Sequence, residues 1–294
     1  MKKPNVFILG APKCGTTSLS NWLVEHPQVF FSPIKEPHFF NYDYGFRRAL
    51  TLSQYESLFA GADDSHHAVC EASVRYLYSR TAVPAILAYV KNPKFVVMVR
   101  NPVEMAASLH EQTLFNGDED IPDFERAWRI QGERLYGSLL PKHCKDPQLL
   151  QYGILCKLGK QVERLYKMVP REQVHLIHLE KLRSSPRTEW VRLQSFLEIE
   201  DDFRNTFPVA NTAKVRRFPW VMRCMHKANS LIRALGVPYI RIGLTNYVNS
   251  QLARERPRYP MSKDLRLELE EYFAEDQKLL HRLGHCVARQ EPMS

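Results

Sequence analysis

Short unbroken apolar runs alternate along this chain with segments whose apolar residues recur every third or fourth position. Val6 to Gly10 is such a run, closed by a glycine, and predicts a first strand. Phe95 to Val99, "FVVMV", is continuous and rich in β-branched residues, the composition of a central strand buried on both faces. Val174 to Leu179, "VHLIHL", predicts a third strand, with His175 and His178 alternating toward partial exposure. Helical spacing predicts helices over Thr16 to His26, Val103 to Phe115, Asp123 to Leu139, Gly153 to Met168, Arg187 to Leu197, Trp220 to Leu235 and Ser262 to Leu283. Strands alternating with helices predict an α/β fold, a three-layer α/β/α arrangement around a central parallel sheet. The Pro-rich piece Arg254 to Ser262 reads as a loop before the last helix.

Composition narrows the class. With 294 residues, 44% hydrophobic and 25% charged, the chain can bury one sizeable core, so a single domain over 1–294 is expected. No run approaches the roughly 18 apolar residues of a membrane span, and stable membrane insertion is not expected. The start "MKKPNVFILGAPKCG" passes from two lysines directly into a strand and a glycine loop, which favours a cytoplasmic protein over a secreted one. Cys14, Cys70, Cys144, Cys156, Cys224 and Cys286 are widely spaced without a C-x-x-C pair, so free thiols are expected rather than a zinc site or disulfide scaffold. Cys14 is either a reactive thiol or a small packing side chain.

The net charge of +9 is concentrated: Lys214 to Arg258 holds ten Lys or Arg against one acid, Glu255. This basic C-terminal portion, expected to be mainly helical, reads either as a solvated face or as a surface for a polyanion. No helix-turn-helix, zinc-finger or aromatic RNA-platform pattern accompanies it, so nucleic acid is not the expected partner.

The chemistry concentrates in "ILGAPKCGTTSL", residues 8 to 19. A strand ending in a glycine loop that opens a helix aims backbone N–H groups and the positive helix end at one spot, an anion site. The alternative is an ordinary strand-to-helix turn. In the usual nucleotide loop a lysine directly follows the second glycine, where it reaches the terminal phosphates. Here that place is Thr16, and the loop's lysine is Lys13. Magnesium-dependent phosphoryl transfer also needs an acid at the end of a neighbouring strand. "FVVMV" ends instead in Arg100, whose planar fork suits a second phosphate, or which pairs with an internal carboxylate.

These residues resemble the sulfotransferases that use 3′-phosphoadenosine 5′-phosphosulfate, PAPS, as donor. "GAPKCGTTSL" looks like their 5′-phosphosulfate loop, and "VRNPVEMAASLHEQ" is similar to their 3′-phosphate segment, an Arg at a strand end followed eight residues later by a Ser. The order and the roughly 85-residue separation also fit. The resemblance implies a P-loop NTPase-like sulfotransferase fold. It implies that Lys13, Cys14, Gly15, Thr16, Thr17 and Ser18 hold the 5′-phosphate, and that Arg100 and Ser108 hold the 3′-phosphate. Lys13 then faces the oxygen on which negative charge develops as the S–O bond breaks, and no metal is required.

"FFSPIKEPHFF", Phe30 to Phe40, is similar to the E-x-x-F-F segment of the glycan-modifying, heparan-type members, whose glutamate is the catalytic base. This carries the base role to Glu36, with a pKa expected to be raised by nearby rings; the alternative is a surface loop acid paired with Lys35. His38 and His110 stay open as bases or acceptor contacts, with Lys35 an acceptor contact. "CEASVRYLY" fits a following E-x-S/T-x-x-Y segment, which implies that Glu71, Ser73 and Tyr76 line the cleft; the alternative is a plain strand-to-loop passage. Tyr152 precedes a helix that supports the adenosine in relatives. "ANTAKVRRF" is similar to a basic loop over the 3′-phosphate, which implies that Lys214, Arg216 and Arg217 act as clamps. The spacing of the heparan type's C-terminal disulfide hairpin is not found, and a membrane anchor of its kind is not expected.

The expected function is therefore sulfonate transfer to a hydroxyl or amine of a small-molecule or glycan acceptor. The rivals are a Mg-ATP-dependent small-metabolite kinase and a non-catalytic protein that binds a nucleotide or sulfated ligand.

Overall fold

The computed structural model describes residues 2–44, 50–210, 214–216, 253–255 and 261–288. Its first half runs β1 (Val6–Gly10), α1 (Thr16–Val24), β2 (Val29–Phe31), α2 (Leu52–Ser57), β3 (Ala68–Ala72), α3 (Ala82–Tyr89), β4 (Lys94–Val99) and α4 (Pro102–Asn116). There follow α5 (Phe124–Arg129), α6 (Gln131–Leu135), α7 (Tyr152–Leu155), α8 (Leu158–Tyr166), β5 (Val174–His178), α9 (Leu179–Ser184) and α10 (Pro186–Leu197). The last elements are β6 (Lys214–Arg216), β7 (Ala253–Glu255) and α11 (Lys263–Ala288).

Five strands form one sheet in the order β2-β3-β1-β4-β5, and every pairing is parallel. The three central strands are almost wholly buried, as their unbroken apolar runs require. The chain leaves β1 toward β2 and leaves β4 toward β5, in opposite directions along the sheet. β1 and β4 are neighbours, so the topology reverses between their carboxyl ends, the place where open α/β sheets hold ligands.

Two predicted helices are broken. Asp123 to Leu139 divides at Ile130 into α5 and α6, and Gly153 to Met168 divides at Cys156 and Lys157 into α7 and α8. α1 stops at Val24, short of His26. The periodicity predicts none of β2, β3, α2 and α3. The predicted loop from Arg254 begins inside β7, which pairs antiparallel with β6. The basic portion therefore contains a two-stranded ribbon, whereas the helix expected over Trp220 to Leu235 lies outside the described residues.

α11 is integral to the core. Leu265, Leu269, Phe273 and Leu280 belong to the same apolar cluster as the sheet. Asp276 accepts from the backbone N–H of Gly159 at 2.8 Å and of Lys160 at 2.9 Å, satisfying the first turn of α8. Among the described residues no helix is long and apolar enough to cross a membrane.

Candidate active site

The loop after β1 is shaped by two glycines. Gly10 adopts φ 130°, and a Cβ there would lie 2.2 Å from the Val74 carbonyl oxygen. Gly15 caps α1 at φ 89°, with Leu179 against the position of a Cβ at 2.7 Å. Because Gly15 offers no capping side chain and the first turn of α1 carries no acid, the amides of Thr16, Thr17 and Ser18 open α1 with an anion-attracting end. Lys13 is itself left-handed at φ 65°, with its ammonium 3.1 Å from Gln112 Oε1.

α4 begins with Asn101, whose side chain accepts from the amides of Val103 and Glu104, and with Pro102 in the first turn. Arg100 at the end of β4 is largely buried, and Nη1 donates to the carbonyl of Lys13 at 3.2 Å. Its Nη2 lies 3.9 Å from the Glu104 carboxylate, which also receives Arg266 at 2.9 Å. Ser108 and Gln112, one helical turn apart on α4, share a face. Loop, strand-end arginine and α4 thus meet at the topological switch.

Beside them stands the segment that the sequence leads one to expect on the acceptor side. Ser73 N donates to the Ile8 carbonyl and Leu77 N to that of Leu9, which fastens the turn after β3 to the end of β1. On that turn rests the stretch from Glu36 to Phe40. Glu36 Oε1 is 3.0 Å from the Lys35 ammonium and Oε2 is 3.4 Å from His38 Nε2. Glu36 is the more open of the two, with 38% of its side chain exposed against 8% for His38. Burial pushes the Glu36 carboxyl up, but His38 and Lys35 outweigh it and hold the group down at about 2. The raised value expected from the sequence is therefore reversed by His38 and Lys35.

Several predicted contacts lie elsewhere. The Cys14 thiol is fully buried, 3.9 Å from the Met105 sulfur, and burial pushes it up to about 12, so it is a packing group in place of a reactive thiol. His110 is buried against Phe124 and Tyr152, with Nε2 2.9 Å from the Ile121 carbonyl, and burial lowers its pKa. Tyr152 is wholly enclosed and donates to Glu119 Oε2 at 2.7 Å, so it acts inside the packing. Ser73 and Tyr76 are also enclosed and bind backbone amides of residues 38–40. Lys214 and Arg216 stand on β6, and Arg217 lies outside the described residues. Ala210, just before that ribbon, donates its amide to Ser18 Oγ at 3.0 Å, which brings the chain leading into the basic portion to the first turn of α1.

Residues 3–223 match the sulfotransferase domain family. The chain belongs to that family. This sulfotransferase domain is 31% identical over 232 residues to the human heparan sulfate glucosamine 3-O-sulfotransferase 3B1, covering 78% of this chain and 53% of that one. The human 3A1 enzyme is also 31% identical over 232 residues, with 78% and 51% covered. The chain spans about half the length of these curated relatives. A crystal structure of a sulfotransferase from Alicyclobacillus acidocaldarius superposes with a TM-score of 0.71 at 26% identity, covering 97% of both chains.

Sequence reasoning missed two features of the sulfotransferase site. Gln112 was findable from helical spacing, four residues beyond Ser108. Glu71 was assigned to the cleft lining, yet it is completely buried. Burial pushes its carboxyl up to about 7, against the hydroxyls of Ser73, Tyr55 and Tyr76. Its ordinary value is 4.5, so between pH 4.5 and 7 the folded state binds more protons than the unfolded state and stability falls as pH rises. Glu71→Gln removes this slope. Urea denaturation of variant and wild type is expected to shift in the variant's favour by about 3 kcal/mol across that window; a pH-independent difference would disprove it.

Proposed function

We propose that this sulfotransferase moves a sulfonate group from PAPS to a hydroxyl, or an amine, of an acceptor. The observation that carries the reading is the hydrogen bond from Arg100 to the Lys13 carbonyl, which draws two cationic cradles into one crevice. The amides and hydroxyls of Gly15, Thr16, Thr17 and Ser18, with Lys13, suit the 5′-phosphate; Arg100 and Ser108 suit the 3′-phosphate. Lys214, Arg216 and Arg217 are proposed as additional clamps, since a donor of about four negative charges calls for further cations. Thr16 in place of a nucleotide-loop lysine, and Arg100 in place of a strand-end acid, speak against a Mg-ATP kinase.

Glu36 takes the acceptor proton as the acceptor oxygen bonds to sulfur. Lys13 faces the phosphate oxygen that keeps the electron pair when its bond to sulfur breaks. A carboxyl held near 2 is a poor proton acceptor at neutral pH. An acceptor hydroxyl at Oε1 competes with the Lys35 ammonium, and loss of that ion pair returns the carboxyl toward the ordinary range. The names of the human relatives support a glycan acceptor. The free thiols Cys14, Cys70, Cys144 and Cys156 fit the reducing cytoplasm.

Calorimetry with 3′-phosphoadenosine 5′-phosphate tests the donor site. Metal-independent binding is expected, weakened at least about tenfold in Arg100→Ala, because a lost charged hydrogen bond is worth roughly 1.5–3 kcal/mol. Equal affinity in both proteins would remove the second phosphate cradle, and preference for Mg-ATP would return the kinase reading.

A further inference from the structure

The segment bearing Glu36 and His38 has an unfavourable backbone. Both residues are left-handed, at φ 59° and 51°, within three positions and without a glycine. Such a stretch persists only where its surroundings over-determine it. Four amides do so. Glu36 N donates to the Ala72 carbonyl at 2.8 Å and His38 N to Ser73 Oγ at 3.1 Å. Phe39 N and Phe40 N both donate to the Tyr76 hydroxyl, at 2.9 and 3.2 Å. Three of these four bonds therefore end on two hydroxyls, which rotate unless their own protons are engaged.

Glu71 engages them. Its Oε1 accepts from the Ser73 hydroxyl and its Oε2 from the Tyr55 hydroxyl, each at 2.6 Å, and Tyr76 adjoins both Glu71 and Ser73. The groups facing this carboxyl are thus hydroxyls, from α2 and from the turn after β3. With its proton committed to Glu71, Ser73 turns a lone pair toward His38 N. Tyr55 also stacks on Phe39 at 4.3 Å, so the same anchor reaches the segment from its apolar side.

We propose that Glu71 is the positioning residue of the acceptor side, fixing Ser73 and Tyr76 so that the backbone of residues 38–40 aims Glu36 and His38. Glu71 touches no substrate. The E-x-S-x-x-Y segment then serves as an internal bracket beneath the base, not as cleft lining. The kinetic consequence rests on the transfer reading above; the structural one does not.

The test compares wild type with Glu71→Leu, Glu71→Gln and Ser73→Ala in the full chain. Calorimetric stoichiometry with 3′-phosphoadenosine 5′-phosphate counts folded sites, and NMR of the His38 ring reports the segment without any acceptor. Turnover is followed with labelled PAPS and heparan sulfate. Glu71→Leu and Ser73→Ala are expected to displace the His38 signal and lower kcat per folded site by about 10- to 100-fold, with nucleotide affinity unchanged within about twofold. Glu71→Gln, which still accepts one hydroxyl, should fall between them and wild type. An unmoved His38 signal in a folded, nucleotide-binding Ser73→Ala overturns the proposal, as does a kcat loss that only follows the count of folded sites. If wild type transfers to no acceptor while the His38 signal still moves, the transfer reading fails and the bracket stands. Should Glu71→Leu not fold, Ser73→Ala and Glu71→Gln decide.

Discussion

Glu36→Gln is expected to reduce turnover by about 10²–10⁴-fold while leaving nucleotide affinity intact. Glutamine keeps the size of the side chain and one hydrogen-bond acceptor but cannot take a proton. The proposed donor cradles are carried by the loop after β1, α1, the end of β4 and α4, so their occupancy should not register the change. The same loss is expected at pH 6 and pH 8 (roughly one unit either side of neutrality), because a carboxyl held near 2 is fully ionised at both. Single-turnover measurement with bound PAPS separates the chemical step from product release. Wild-type turnover in the variant would move the base role to His38, whose Nε2 stands beside the same carboxylate.

The second large effect concerns stability. Arg134 is completely enclosed and grips Glu119 with both ends of its fork, Nη1 to Oε2 and Nη2 to Oε1, while Nε donates to the Leu139 carbonyl. Tyr152 donates to the same carboxylate, which ties α7 to the loop after α4. Burial alone raises the Glu119 carboxyl, yet the Arg134 contact brings it below its ordinary value. Arg134→Leu strands that charge, and unfolding free energy is expected to fall by about 3–5 kcal/mol. In a chain of this size that lowers Tm on the order of 10 °C. Removing both partners, in Arg134→Leu with Glu119→Leu, should recover much of the loss, since apolar replacements of a buried pair are often close to neutral. A single variant as stable as wild type in urea would show that the pair contributes nothing.

What the sequence disclosed is what is local. β1 and β4 are legible because burial on both faces demands unbroken apolar runs, and the loop is legible because phosphate-binding turns need glycines at fixed intervals. β2 has three residues, too few for a period, and β3 carries Glu71 in an otherwise apolar run, which disguises it. The breaks at Ile130 and Lys157 follow no proline or glycine at the break itself, so spacing alone ran each pair of helices together. Partners far apart in the chain are invisible to periodicity. Glu71 meets Tyr55 of α2, and Asp276 caps α8 from more than a hundred residues away. The direction of the Glu36 shift is within reach of the sequence, because Lys35, the partner already considered for a loop acid, and His38 are its near neighbours in "KEPH" and outweigh the burial.

The family match ends at residue 223, whereas the cap on α8 comes from residue 276. A fragment trimmed to the span of the family match would leave two amide protons of α8 unanswered and strip Leu269 and Phe273 from the interior. The matched span and the packed core thus have different edges, and expression boundaries for this chain should be drawn from the second.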